Sequence, residues 1–261
     1  MKSTPLLALT ASAILTTALH AGTPTAPEPV MTTTTDNGWE ITLGLYGWGA
    51  GLNGDIGAGG FTTPVDISFG DILDTLDMTA MGMMEARKGP WFAQLEGLYL
   101  RNSLTLTTYT PLRNTPAQAK LTAQTTRLEL VGGYSVIDTD CTRLDLFAGA
   151  VYYDIDNELR LLGRRVVTSI GSGEGWLDPA IGFRLNQRLG GPWSAQLRGE
   201  VGGFGVSSDF LWQAVALIGY DLGESSTLFL GYRHAAVDYQ KGGFLYDAAS
   251  GGPILGLALT F

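Results

Sequence analysis

Cysteine is nearly missing: Cys141 is the only one in 261 residues. One thiol closes no internal disulfide, so nothing staples the fold. Histidine is as scarce, with His20 and His234 alone, which leaves little for imidazole catalysis. Charged residues are only 16%, against about 25% in soluble domains. Basic excess is absent too: the formal net charge is −9, which argues against nucleic acid as a partner. Beyond the N-terminus no 18 consecutive residues are apolar, so no transmembrane helix is expected. Low charge together with 10% aromatics argues against disorder, which needs high charge and few aromatics.

What is abundant is glycine, 36 residues, about twice the roughly 7% of average proteins. Glycine weakens helix interiors by about 1 kcal/mol each, so a helical bundle is excluded. Residues 1–21 have the form of a secretory signal peptide: Lys2, an apolar run from Leu6 to Leu19, and Leu19-His20-Ala21 before the expected cleavage. The run is short of the ~20 residues of a spanning anchor. It contains no cysteine for a lipoprotein. Residues 22–38, GTPTAPEPVMTTTTDNG, read as a flexible linker. Residues 39–261 form the remaining domain.

That domain alternates with period two. In Trp193–Phe204 one face holds Trp193, Ala195, Leu197 and Val201, the other Gln196, Arg198 and Glu200. Similar faces recur after Trp39, Ala80, Trp91, Arg127, Arg143, Leu177, Trp212, Thr227 and Leu255, which gives ten strands. The connections alternate in length. Lys88–Pro90, Asp138–Cys141, Gly190–Pro192 and Gly223–Ser226 are short, while 51–76, 108–118, 161–175 and 241–251 are long. Val206–Ser208 is short where a long loop is due. This is the pattern of a transmembrane antiparallel up-and-down β-barrel with short periplasmic turns and longer extracellular loops. The count becomes eight or twelve if an early strand is lost or the first loop forms a hairpin.

Energy decides which face meets lipid. An arginine at the bilayer midplane costs roughly 2–4 kcal/mol, so the polar face points into the lumen. A soluble barrel with the opposite polarity would need a surface far richer in lysine. The lumen is then assigned Glu85, Arg87, Glu96, Arg127, Glu129, Arg143, Asp145, Asp178, Arg184, Arg198, Glu200, Arg233 and Asp238. Its charges nearly balance, and ten strands leave a narrow interior. Trp39, Trp91 and Trp193 open strands on the short-turn side, and Trp48, Trp176 and Trp212 sit near the long loops. They are expected to form two aromatic girdles.

The ending GPILGLALTF places Leu255, Leu257, Leu259 and Phe261 at alternate positions. It resembles the C-terminal signal that the assembly machinery of Gram-negative outer membranes reads. SFGDILDTLDMTAMGMMEARKG, GEVGGFGVSSDFLWQ and GYRHAAVDYQKGGFLYD resemble a family of small, porin-like Gram-negative outer-membrane β-barrel proteins over about residues 39–261. The resemblance implies an outer-membrane location, reached through the periplasm, with lipid and lipopolysaccharide as surroundings. It implies no reaction, cofactor or ligand.

The remaining motifs are weak. Asp71, Asp74 and Asp77 would share one face of a helix. That helix could fold into the lumen as a constriction, or its acids could hold a cation, although calcium loops are denser in oxygen. Gly51, Gly54, Gly57, Gly59 and Gly60 lack the β-α-β unit of a phosphate loop. Arg164-Arg165 is a solvated pair or a contact to lipopolysaccharide phosphates. His234 shares the parity of Leu228, Leu230 and Tyr232, which puts it outside, opposite Ala214 and far from Ser208 and Asp209. The sequence therefore favours a narrow or plugged monomeric barrel with a structural or surface-interaction role and no enzymatic activity. A small-solute channel is the second reading, an outer-membrane enzyme the third.

Overall fold

A computed structural model describes residues 38–58, 61–109, 116–162 and 167–261. The signal peptide, nearly all of the linker, Gly59, Gly60 and the Arg164-Arg165 pair lie outside them. Alternating segments rich in β-branched and aromatic residues become strands, and glycine or Gly-Pro pairs turn them. The strands are β1 (Trp39–Trp48), β2 (Gly51–Ala58), β3 (Phe61–Ile67), β4 (Leu76–Lys88), β5 (Trp91–Tyr109), β6 (Pro116–Asp138), β7 (Thr142–Leu162), β8 (Val167–Gly190), β9 (Trp193–Gly202), β10 (Phe210–Asp221), β11 (Ser226–Lys241) and β12 (Phe244–Thr260). One helix, α1 (Phe69–Thr75), separates β3 from β4.

Ten strands, β1 and β4 to β12, pair antiparallel in sequence order, and β1 closes on β12. β12 serves two partners. Its last part, Ile254–Thr260, pairs with Trp48–Thr42 of β1, and its first part, Leu245–Gly251, pairs with Gly57–Gly51 of β2. β2 thus continues the wall where β1 stops at Trp48, and β3 folds back along β2. The first long connection is a hairpin and a helix rather than a loop.

The side-chain distribution is the reverse of a soluble protein's. Leu45 is 75% and Leu130 60% exposed, while Asp145 and Asp178 are 0% exposed. Large apolar groups found outside and charges found inside are explained by lipid outside. A barrel with an apolar interior and a charged surface is thereby ruled out. On the short-turn side Trp39, Trp91 and Trp193 face outward, and edge-on contacts join Trp91 to Tyr134 and Trp193 to Tyr220.

Two expectations about loops need correction. Within 108–118, 161–175 and 241–251 the described residues are strand, apart from the turn at Gly242-Gly243. β5 to β8 run well past the other strands, and β11 and β12 meet in a two-residue turn at Gly242-Gly243, both with positive φ. Once a strand leaves the bilayer neither face need be apolar, so the alternation that marks it fades. α1 does not plug the lumen, because none of its residues is buried. Ser68 caps it in a capping box with Asp71. Hydrogen bonds donated to Asp71 Oδ2 by the Ser68 hydroxyl and backbone amide hold the exposed Asp71 carboxyl below its usual range. The helix ends at Thr75, so Asp77 lies in β4 and the three aspartates share no helical face.

Candidate functional site

The lumen carries the chemistry, in three levels. Alternation fixes which residues enter it, and β-pairing fixes their heights. Nearest the short turns stand Glu85 and Arg87 of β4, Asp145 of β7 and Arg184 of β8. Arg87 donates to Asp145 at 2.9 Å and to Glu85 at 3.1 Å. Arg184 reaches Asp145 at 2.8 Å and crosses to Glu85 at 2.5 Å. Ser135 donates to Asp145 at 2.6 Å and accepts from Arg87 at 2.8 Å, and Gln94 accepts from Arg184 at 3.0 Å. Two guanidinium groups thus meet two carboxylates.

The next level joins Glu96, Arg127, Glu129, Arg198, Glu200 and Arg233. Arg127 donates to Glu129 at 2.6 Å, and Arg198 donates to both Glu129 and Glu200, the latter at 2.7 Å. Arg233 of β11 crosses the barrel to Glu96 of β5, which also accepts from the Tyr46 hydroxyl at 2.5 Å. Gln213 of β10 reaches across to Glu129 at 3.2 Å. Three positive groups again meet three negative ones. Charges taken out of water are tolerable only when paired in this way.

Arginine planes also lie over aromatic rings. Arg87 and Arg184 sit 4.8 and 4.7 Å from the Phe92 centroid, Arg198 lies 4.6 Å from Phe147 and Arg233 4.9 Å from Trp48. The phenyl rings lie against the wall because glycine faces them. A Cβ on Gly133 would stand 2.4 Å from the Phe92 ring, and one on Gly182 would stand 2.5 Å from Phe147.

The third level is aromatic. Trp176 of β8 stacks between Tyr153 of β7, at 5.2 Å, and Tyr239 of β11, at 4.0 Å. Val151, Ile155, Leu211, Val237 and Phe244 pack around them. Tyr239 donates to Glu174 at 2.9 Å. This cluster covers the long-strand side of the charged levels.

Of the thirteen assigned charges, the ten in the two levels converge. Arg143 faces inward at the short-turn mouth and pairs with Asp138 at 3.0 Å, both half in solvent. A bulge at Ser135–Ile137 is what returns Asp138 to the inner face. Asp178 is buried but joins neither level. It accepts from the Ser207 and Ser208 amides at 3.2 and 2.8 Å and from the Ser208 hydroxyl at 2.5 Å, which pins the short connection after β9.

Three assignments are corrected. Asp238 is on the outer face, since buried Arg233, Val237 and Tyr239 set the inward parity of β11. Trp48 and Trp176 are lumen residues rather than girdle residues; Trp48 shares the parity of Tyr46, and Trp176 that of Asp178. Of the upper three only Trp212 faces outward, 5.1 Å from the His234 ring. Parity carried all three corrections in the sequence. Charge alone does not mark the inward rings Phe92, Phe147, Tyr153 and Tyr239, whose only sequence signal is that they share the parity of the charged residues on their strands. His234 stands outside, in register with Ala214 and Gly251. Leu255, Leu257, Leu259 and Phe261 are exposed on the outer face. Among the described residues no three potential metal ligands converge.

No family model matches the chain, and no curated protein is similar to it. Solved structures align with the chain. The outer membrane protease OmpT from Escherichia coli aligns at 12% identity over 85% of this chain and 96% of its own, with a TM-score of 0.53. The translocator domain of the autotransporter NalP from Neisseria meningitidis aligns at 13% identity over 88% and 90%, with a TM-score of 0.44. The apolar outer band, the closed sheet and the OmpT likeness define an outer-membrane β-barrel. Its location is the outer membrane.

Proposed function

We propose that this chain is a closed monomeric barrel that works through its outer surface and strand extensions, without catalysing a reaction. One observation carries the reading: ion pairs span the lumen at two heights beneath a stacked aromatic layer. Arg184 to Glu85, Arg233 to Glu96 and Gln213 to Glu129 join strands on opposite sides. A selective pore would display an excess of one sign, whereas these levels balance. The outward His234, beside Trp212, supports a non-enzymatic role. The exposed alternate residues Leu255, Leu257, Leu259 and Phe261 support recognition of β12 by the assembly machinery, and the outer band supports contact with lipid and lipopolysaccharide.

Conductance tests the closure. The refolded chain in planar bilayers is expected to give at most a small, weakly selective current, and its liposomes are expected not to swell in a disaccharide. Rapid swelling would overturn the reading in favour of a solute channel.

A further inference from the structure

The ion pairs fill only one side of the lumen. Toward the short turns, the inner face of β10, β11 and β12 carries Val215, Leu217, Phe229, Ile254 and Ala258 instead of charge. Between this apolar wall and the charged residues lies a cavity of about 300 Å³. That is near the lower end of small-ligand pockets, roughly 300–1,000 Å³. It runs from Thr227 and Thr260, beside the turn at 222–225, up to Arg198 and Arg233.

The inner end has donors to spare. Arg198 Nε and Arg233 Nε and Nη2 are buried without a hydrogen-bond partner, and both side chains line the cavity. The acceptors left over nearby, Glu200 Oε1 and Gln213 Oε1, belong to side chains that do not line it. An unmade bond at a buried donor is costly, so an incoming acceptor would be rewarded. On Arg233, Nη1 is held by Glu96 and Tyr46. The two unpartnered nitrogens form one edge of the guanidinium, the fork that fits a carboxylate with two parallel hydrogen bonds.

We propose that the cavity binds, from the periplasmic side, a slender amphipathic carboxylate. On binding, a small shift of the Arg233 side chain brings its buried Nε–Nη2 edge to the head, and the apolar body lies along Val215, Leu217, Phe229 and Ile254. This goes beyond the closed-barrel reading and does not depend on it. Because the ion-pair levels are balanced without a ligand, selectivity comes from the free fork and the apolar wall acting together. A neutral alcohol of equal length lacks the head, and acetate lacks the body.

The test is calorimetric titration of the refolded mature chain in lipid nanodiscs with decanoate, with empty discs as the blank. Saturable binding in equimolar ratio is expected, weaker by about tenfold or more for decanol and for acetate. Arg233→Lys keeps the charge and loses the fork; it is expected to weaken decanoate by about tenfold and leave decanol unchanged. Ala258→Phe fills the apolar side and is expected to abolish decanoate binding in a barrel that still resists SDS until boiled. Heats no larger than those of empty discs, decanol binding as tightly as decanoate, or an unchanged Arg233→Lys titration would each overturn the proposal. A conducting pore in bilayers would refute the closed-barrel reading and leave this titration untouched.

Discussion

Arg198 holds Glu129 and Glu200 at once, and its guanidinium lies over the Phe147 ring. Removing it would leave two buried carboxylates facing one another with Arg127 as their shared partner. Breaking a buried ion pair from one side costs about 3–5 kcal/mol. Arg198→Ala is therefore expected to lower the unfolding free energy of the refolded barrel, read from urea titration, by an amount of that order, and the urea midpoint with it. Glu200→Gln, which keeps a hydrogen-bond acceptor and removes one of the crowded charges, is expected to cost clearly less. Equal midpoints for the two variants would show that the level is not held by charge pairing. At this scale the sequence was legible wherever parity was counted strictly. The count that put His234 outside also puts Asp238 outside, four residues on along the same face. Trp48 and Trp176 were misplaced because tryptophan near a strand end was read by residue type, when each sits on the face of its polar neighbours. What no count could supply was the pairing itself, since Arg184 and Glu85 meet across the lumen at a separation of 99 residues.

Among the elements, the β11–β12 hairpin carries a row of like charges. In register, Asp238 faces Asp247, and Asp247 faces Asp55 of β2. All three are exposed on the outer face, beyond the level of Trp212 and Tyr232. Like charges directly opposite on neighbouring strands are destabilising. Partial burial, then Asp247 and Asp209, push the Asp238 carboxyl above its usual value. The folded state therefore prefers the protonated acid. The stabilisation is present below the unfolded-state value and is lost as pH rises through the folded one. Amide exchange at the hairpin tip, corrected for intrinsic rates, is expected to be faster at neutral pH than in mild acid, and Asp238→Asn is expected to flatten that dependence. A tip whose protection ignores pH in both forms would count against it. Such extensions were the least legible part of the chain. Along β5 to β8 the sequence keeps its alternation only where lipid lies on one side, so the upper strands read as loops. The helix of the first connection was foreseen as one possibility, and its site outside the lumen was not.

For the molecule as a whole, class and location were legible because lipid imposes one rule on every strand. A charge on the wrong face is so costly that the register of each hairpin is marked in the sequence. The interior followed no such rule, and its division into a charged side and an apolar side emerges only when distant strands close into a ring. Orientation gives a direct check. Cys141 is exposed in a short turn assigned to the periplasm. In intact cells it is expected to escape an impermeant maleimide, whereas Lys241→Cys in a Cys141→Ser background is expected to be labelled at the outer tip. The reverse pattern would invert the barrel.

The strand that closes the ring also governs how the ring can be made. The Thr42 and Thr260 side chains touch across the seam at a separation of 218 residues, and contacts so far apart in the chain form slowly. Before β12 meets β1, the inner faces of β4 to β11 have no opposite wall, and Arg87, Arg127, Arg184 and Arg198 would look into hydrocarbon. Adding strands to the membrane one at a time is thereby forbidden by the very charges that later brace the barrel. Insertion has to be concerted with closure, and a chain truncated before Leu255 is left with nowhere to put its arginines.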